Sequence, residues 1–150
     1  MPNPKVFLLS MDYDMSLEEA LSVGNFNCHN CNIMEKRFPR IERETGKRDL
    51  RFTIYALQEG WMTPEVALKK MKEKNDTPAT LLEILAFGRA FPQIQKDNTH
   101  ATVACGSIWT NGRGLRHVPY IIRRSTKNLD IDLTRYDEPH GRYLAVQKAI

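Results

Sequence analysis

Residues 102 to 124 read TVACGSIWTNGRGLRHVPYIIRR, and this stretch decides the fold because it has the pattern of a β-hairpin. Two runs of residues that favour strands flank Asn111-Gly112, a strong signal for a tight turn. The second run contains Val118 to Ile122, which is long enough for a central strand. We therefore expect the rest of the chain to pack against this ribbon.

The composition is that of a globular domain. The 150 residues are 41% hydrophobic and 27% charged, and no apolar run approaches the ~20 residues of a membrane-spanning helix. The start of the sequence has no apolar segment as long as that of a secretory signal peptide. With three cysteines in addition, we expect a single-domain cytoplasmic protein without disulfides, cofactor or membrane contact.

The net charge of +4 arises entirely near the end of the chain. Residues 1 to 100 hold equal numbers of basic and acidic residues, whereas the last fifty hold eight basic and four acidic ones. An arginine-rich surface favours an anionic partner, although scattered solvated charges give the same composition. The eight basic residues are Arg113, Arg116, Arg123, Arg124, Lys127, Arg135, Arg142 and Lys148.

Three helices are predicted from their end signals and apolar spacing. The first begins at Ser16 and stops near Gly24. The second begins at Thr63, and lysines accumulate at its far end, where they interact favourably with the helix dipole. The third runs from Thr80 to about Phe91 and is apolar on nearly all sides, so it should be a central core element.

The other periodic segments predict strands. Residues 5 to 10 are a short apolar run, and residues 51 to 57 alternate well enough for a half-buried strand. Leu129 to Leu133 alternates strictly, which predicts one face in the core and one in water. Residues 142 to 146 form the last predicted strand, and residues 37 to 51 a charged connector.

These elements predict an α+β fold. We expect a single domain with three helices and a mainly antiparallel twisted sheet, because the last fifty residues contain strands joined by short turns. The N-terminal strand should lie near the C-terminal one. Trp109 and the third helix should share one core.

A Cys-x-x-Cys motif lies in the asparagine-rich segment Asn25 to Asn32, which we expect to be irregular because asparagines favour turns. Cys28 and Cys31 have the spacing of a zinc-binding or redox pair, but no second pair of ligands is evident. A thioredoxin-like pair would open a helix, and no cap follows this one. Metal and redox functions remain open, and we predict that these cysteines bind no metal in the monomer.

Part of the chain resembles the C-type-lectin-like fold of formylglycine-generating enzymes and of the variable proteins of diversity-generating retroelements. The run Thr63 to Ala86 resembles their helix, Pro-Thr, helix signature. Gly106-Ser107-Ile108-Trp109 is similar to their Gly-Gly-Ser-Trp strand with one residue inserted, and Gly141 to Val146 to their last strand, with the arginine and aromatic positions exchanged. The resemblance covers residues 63 to 146.

The resemblance implies ligand binding rather than catalysis. Formylglycine-generating enzymes use a late cysteine pair, and here the last hundred residues hold Cys105 alone. The related sulfoxide synthases use a three-histidine set that no predicted helix carries. In the remaining relatives the stretch that corresponds to Thr110–His140 displays variable binding residues. The implied site residues are Asn111, Arg113, Arg116, His117, Tyr120, Arg123, Arg124, Arg135, Tyr136, Glu138 and His140.

We therefore expect a non-catalytic module that binds a protein or an anionic macromolecule. Nucleic-acid binding by the basic half is the alternative, although no known nucleic-acid-binding motif is present. A phosphodiesterase is a third possibility, because His100-Ala101-Thr102 matches one His-x-Thr motif of the two-histidine enzymes. Its second motif is missing.

Overall fold

The structure is a computed structural model that describes residues 6–28, 30–39, 45–57, 60–95, 100–124 and 127–148. Nine strands and three helices lie within these residues. They are β1 (Val6–Asp12), α1 (Leu17–Val23), β2 (Asn27–Cys28), β3 (Lys47–Ala56), α2 (Pro64–Glu73), β4 (Thr77–Pro78), α3 (Leu81–Ala90), β5 (Thr102–Val103), β6 (Trp109–Thr110), β7 (Arg116–Ile122), β8 (Asp130–Arg135) and β9 (Arg142–Lys148).

All the strands belong to one sheet. Its order is β1-β3-β9-β5-β7-β8-β2, with β4 added to β9 and β6 added to β7. The pairs β2–β8 and β5–β9 are parallel, and the other pairs are antiparallel. The fold is therefore α+β, a single small domain with three helices and a mixed sheet. The N-terminal strand lies one strand away from the C-terminal one, because β3 separates β1 from β9.

The three predicted helices are confirmed, and each begins at its predicted cap. The Ser16 hydroxyl accepts a hydrogen bond from the Glu19 amide, and the Thr63 hydroxyl caps α2. Thr80 and Glu83 cap α3 reciprocally, with distances of 3.3 and 2.8 Å. No helix within the described residues is long and apolar enough to cross a membrane.

The sheet has a hydrophobic cluster on each face. Along β9, Leu144 and Val146 belong to one cluster, and Tyr143 and Ala145 to the other. Because side chains alternate across a strand, the two clusters lie on opposite faces. The first cluster includes α1 and α3, and Trp109 packs against it, as predicted. The second includes α2.

Strand β3 differs from its prediction. It begins at Lys47, inside the predicted charged connector, and its central residues are buried on both faces, with Phe52 in the first cluster and Tyr55 in the second. The prediction of a half-buried strand was wrong because helices cover both faces of the sheet here. Residues 40 to 44 of the connector lie outside the described residues.

The Asn25–Asn32 segment is more regular than predicted. Asn27–Cys28 forms β2, which pairs in parallel with β8. The Asn27 side-chain amide donates to the Asp130 carboxylate at 3.0 Å. Asp130 is therefore buried instead of facing water. The strict alternation of buried and exposed residues predicted for Leu129 to Leu133 was wrong at this position.

The predicted hairpin is confirmed as an antiparallel ribbon, but its first strand is interrupted. Strands β5 and β6 both pair with β7, and the chain between them turns away from the sheet towards the start of α3. The Gly106 amide donates to the Ala79 carbonyl at 2.7 Å, and the Leu81 amide donates to the Ser107 hydroxyl at 2.7 Å. Cys105 therefore lies in a buried turn and not in the first strand of the predicted hairpin.

The close approach at Gly106 gives a test of this arrangement. A Cβ at Gly106 would lie 2.4 Å from the Pro78 carbonyl oxygen, whereas a Cβ at Gly112 would meet open space. Gly106→Ala should therefore lower the free energy of unfolding by about 1–3 kcal/mol, because two backbone segments must separate. Gly112→Ala is the matched control and should change it little. Urea denaturation measures both values, and equal effects would contradict the contact.

Candidate binding surface

The β6–β7 turn is built by Asn111. Its side-chain oxygen accepts hydrogen bonds from the amides of Arg113 and Leu115, at 2.9 and 3.1 Å. The residue with positive φ is Gly114 (+79°), so the turn is longer than the tight Asn111-Gly112 turn that the sequence predicted. Asn111 thus has a structural role, and the turn holds Arg113 exposed at its tip.

Arg116 and Tyr136 contact each other beside this turn. The Arg116 guanidinium carbon lies 4.2 Å from the centre of the Tyr136 ring, and the guanidinium donates to Asp137 at 2.8 Å. Tyr136 is buried in the second hydrophobic cluster, and burial raises the pKa of its hydroxyl. The Tyr136 ring therefore packs against the Arg116 guanidinium. Arg116 also forms an ion pair with Asp137.

Trp109 and His117 form a stack at the same end of the sheet. Their ring centres are 5.5 Å apart, and the Arg37 guanidinium carbon lies 4.5 Å from the Trp109 ring centre. His117 is the register partner of Arg135 on β8, which brings this arginine beside the stack. The His117 Nδ1 atom is buried and has no hydrogen-bond partner in the described structure.

We call this surface the arginine end and define it as Arg37, Arg113, Arg135, Trp109 and His117. All three arginines are exposed. No carboxylate of the described residues lies within salt-bridge distance of Arg37, Arg113 or Arg135. Sequence reasoning missed Arg37 because it lies 72 residues before Trp109 and no local pattern joins the two.

Tyr120 and Arg124 lie in a different group on β7 and just beyond it. The Arg124 guanidinium donates to the Tyr120 hydroxyl at 2.7 Å and lies 3.6 Å from both Asp130 and Asp132. Asn30 also donates to Asp132, at 3.1 Å. Burial, and then the Asp132 charge, raise the pKa of Tyr120. The two aspartates neutralise this arginine, so the group fastens β2 and the Asn30 turn to β8.

Arg123 and His140 have structural surroundings. Arg123 donates to the carbonyls of Gln95 and Pro92, at 2.6 and 2.7 Å. His140 is buried, its Nε2 lies 3.2 Å from the Arg135 carbonyl oxygen, and burial lowers its pKa. Glu138 is exposed near the arginine end. The eleven predicted site residues thus divide into surface, strand-fastening and structural groups.

The remaining chemistry-bearing residues are also held by structural contacts. The Thr102 hydroxyl of the His-x-Thr motif is fully buried and donates to the Gln95 side chain at 2.7 Å. His100 packs against Trp61, with ring centres 5.8 Å apart. The motif therefore contributes to packing around the turn that follows α3.

The Cys28 and Cys31 thiols are both exposed and unpaired, and His29 lies outside the described residues. Burial of part of the side chain raises the pKa of Cys28, and the Asp132 charge adds to this. A raised pKa disfavours the thiolate that metal binding and redox chemistry require. No group of three or more potential ligands occurs among the described residues.

Comparisons with known proteins identify no relative of this chain. No protein-family model matches the chain, and no curated protein or solved structure matches it closely enough to count as similar.

The cysteine pair gives a test of the metal prediction. The double variant Cys28→Ser/Cys31→Ser should melt at nearly the same temperature as the unmodified chain, because neither thiol is part of the core. Loss of a structural zinc would instead remove on the order of 10 kcal/mol of folding free energy. Stoichiometric zinc retained in metal-free buffer, and lost with the fold on chelation, would contradict the prediction.

Proposed function

We propose that this chain is a non-catalytic binding protein that uses the arginine end to bind an acidic surface of a partner protein. The observation that carries this proposal is a group of three exposed arginines, Arg37, Arg113 and Arg135, which have no carboxylate partner among the described residues and lie around the Trp109–His117 ring contact. Arginine and aromatic side chains are enriched at protein interfaces.

The surroundings of these arginines favour binding without large rearrangement. Asn111 fixes the turn that carries Arg113, and hydrogen bonding between β7 and β8 fixes the backbone at Arg135. Arg37 lies over the Trp109 ring. Because the surface is partly ordered in advance, less conformational entropy is lost when a partner binds.

One observation favours an acidic protein over a nucleic acid. The Arg37 guanidinium and the His117 ring both contact the Trp109 ring, with centres 4.5 and 5.5 Å away, which leaves less of the ring for a base to stack on. Discrete contacts between arginines and carboxylates fit such a surface better.

We also propose the C-type-lectin-like relationship, of the kind found in the variable proteins of diversity-generating retroelements. The contacts of Gly106 and Ser107 with Ala79 and Leu81 support it, because they join two of the motifs on which the resemblance rests. A cytoplasmic location belongs to the same proposal and is consistent with three free cysteines.

A charge-reversal series tests the binding proposal. The probe is a synthetic glutamate-rich peptide, and binding is followed by fluorescence anisotropy at several salt concentrations. The triple variant Arg37→Glu/Arg113→Glu/Arg135→Glu should weaken binding by about tenfold or more, because attraction becomes repulsion. The three substitutions are also made one at a time. Lys72→Glu, at an exposed site on α2, is the matched control for these single variants and should have little effect.

An oligothymidylate probe separates the nucleic-acid alternative from the proposal. Stronger binding of this probe, with a salt dependence that loses about 0.7 in log–log slope for each lost phosphate contact, would favour nucleic acid. If Lys72→Glu weakens peptide binding as much as a reversal in the arginine end does, the attraction is nonspecific and the proposed surface is wrong.

A further inference from the structure

A groove lies next to the first strand, away from the arginine end. Its volume is about 310 Å³, and its walls come from β1, α1 and α3. Nine of its twelve lining residues are apolar, among them Leu9, Met11, Val23, Leu85 and Ala86. A groove of this size and composition accommodates apolar side chains.

Strand β1 is an open edge next to this groove. Within the described residues it pairs with β3 alone, in an unbroken register from Val6–Thr53 to Asp12–Lys47. On the face opposite the groove, Val6 is 45% and Leu8 is 70% exposed. Residues 6 to 11 contain no charge, proline or bulge, which are the features that normally protect an edge strand from pairing.

Arg89 is the cation that lines the groove. Arg89, in the last turn of α3, is exposed, and no carboxylate of the described residues lies within salt-bridge distance of it. The other charged lining residue, Asp12, does not lie within salt-bridge distance of Arg89, so the Arg89 guanidinium is open to a carboxylate of a ligand. The groove is therefore complementary to an apolar group that bears a carboxylate.

We propose that β1 and this groove bind an extended peptide segment of another protein by strand addition. The segment pairs its backbone with the open edge of β1, because an edge strand carries N–H and C=O groups that require partners. Its side chains alternate between the groove and the exposed Val6–Leu8 face, so apolar residues suit both sides. An acidic side chain of the segment pairs with Arg89.

Two other occupants fit the same surface less well. A lipid or another small apolar molecule offers few groups to pair with the strand backbone. A second copy of this chain, paired through its own β1, offers no acidic side chain from residues 6 to 11. A peptide that contains an acidic residue can pair with the β1 backbone, place apolar side chains on both faces and form an ion pair with Arg89.

A peptide selection tests the proposal. The full chain is presented to a phage-displayed library of random peptides of about ten residues, the upper length of an ordinary strand. We expect enrichment of alternating apolar residues accompanied by Asp or Glu. The most enriched sequence is then synthesised, and its dissociation constant is measured for the unmodified chain, Arg89→Glu, Leu8→Lys and Arg113→Glu.

Arg89→Glu and Leu8→Lys should each weaken binding by about tenfold or more, whereas Arg113→Glu should leave it unchanged. Arg89→Glu and Leu8→Lys both replace exposed side chains, so equal unfolding midpoints are expected and confirm intact folds. The absence of enrichment, or equal binding by all variants, would overturn the proposal. A concentration-dependent dimer that Leu8→Lys abolishes would assign the edge to a second copy instead.

Discussion

The close contact between the Gly106 turn and the start of α3 is the constraint on which the rest of the structure depends. The hydrogen bonds from Gly106 to Ala79 and from Leu81 to Ser107 fasten the hairpin to the most buried helix. They interrupt the strand between β5 and β6, so that Trp109 returns to the sheet next to β7. Trp109 then packs on the first cluster while its ring supports Arg37. The contact between the Gly106 turn and the start of α3 thus positions Trp109 in both the core and the arginine end.

The helices could be predicted because their end signals are local. The burial of strand residues could not, because it depends on contacts between distant parts of the chain. The caps at Ser16, Thr63 and Thr80 act within one helical turn, so the sequence displays them directly. The burial of Asp130 depends on Asn27, 103 residues earlier, and no periodicity reveals such a partner. Strand β3 is likewise buried on both faces because helices cover both sides of the sheet. The alternation of apolar residues in its sequence indicated burial on one face only.

The arginines of the last fifty residues illustrate why composition is a weak guide to a site. Arg123 is held by backbone carbonyls, Arg124 by two aspartates and Arg116 by Asp137, although all three look alike in the sequence. Arg113 and Arg135 remain without carboxylate partners in the described structure, and they are joined by Arg37 from a distant segment. The surface that we propose for binding is therefore a product of the tertiary fold. The β1 edge and its groove are a second such product, formed by other elements.

The measurement that tests the binding account most directly is an NMR spectrum of the arginine Nε–Hε groups, recorded with and without a glutamate-rich peptide. Resonances of Arg37, Arg113 and Arg135 should shift as the peptide is added. The resonance of Arg123, whose Nε donates to the Gln95 carbonyl at 2.6 Å, should stay in place as an internal reference. Uniform shifts of all arginines, or shifts confined to residues outside the arginine end, would contradict the account.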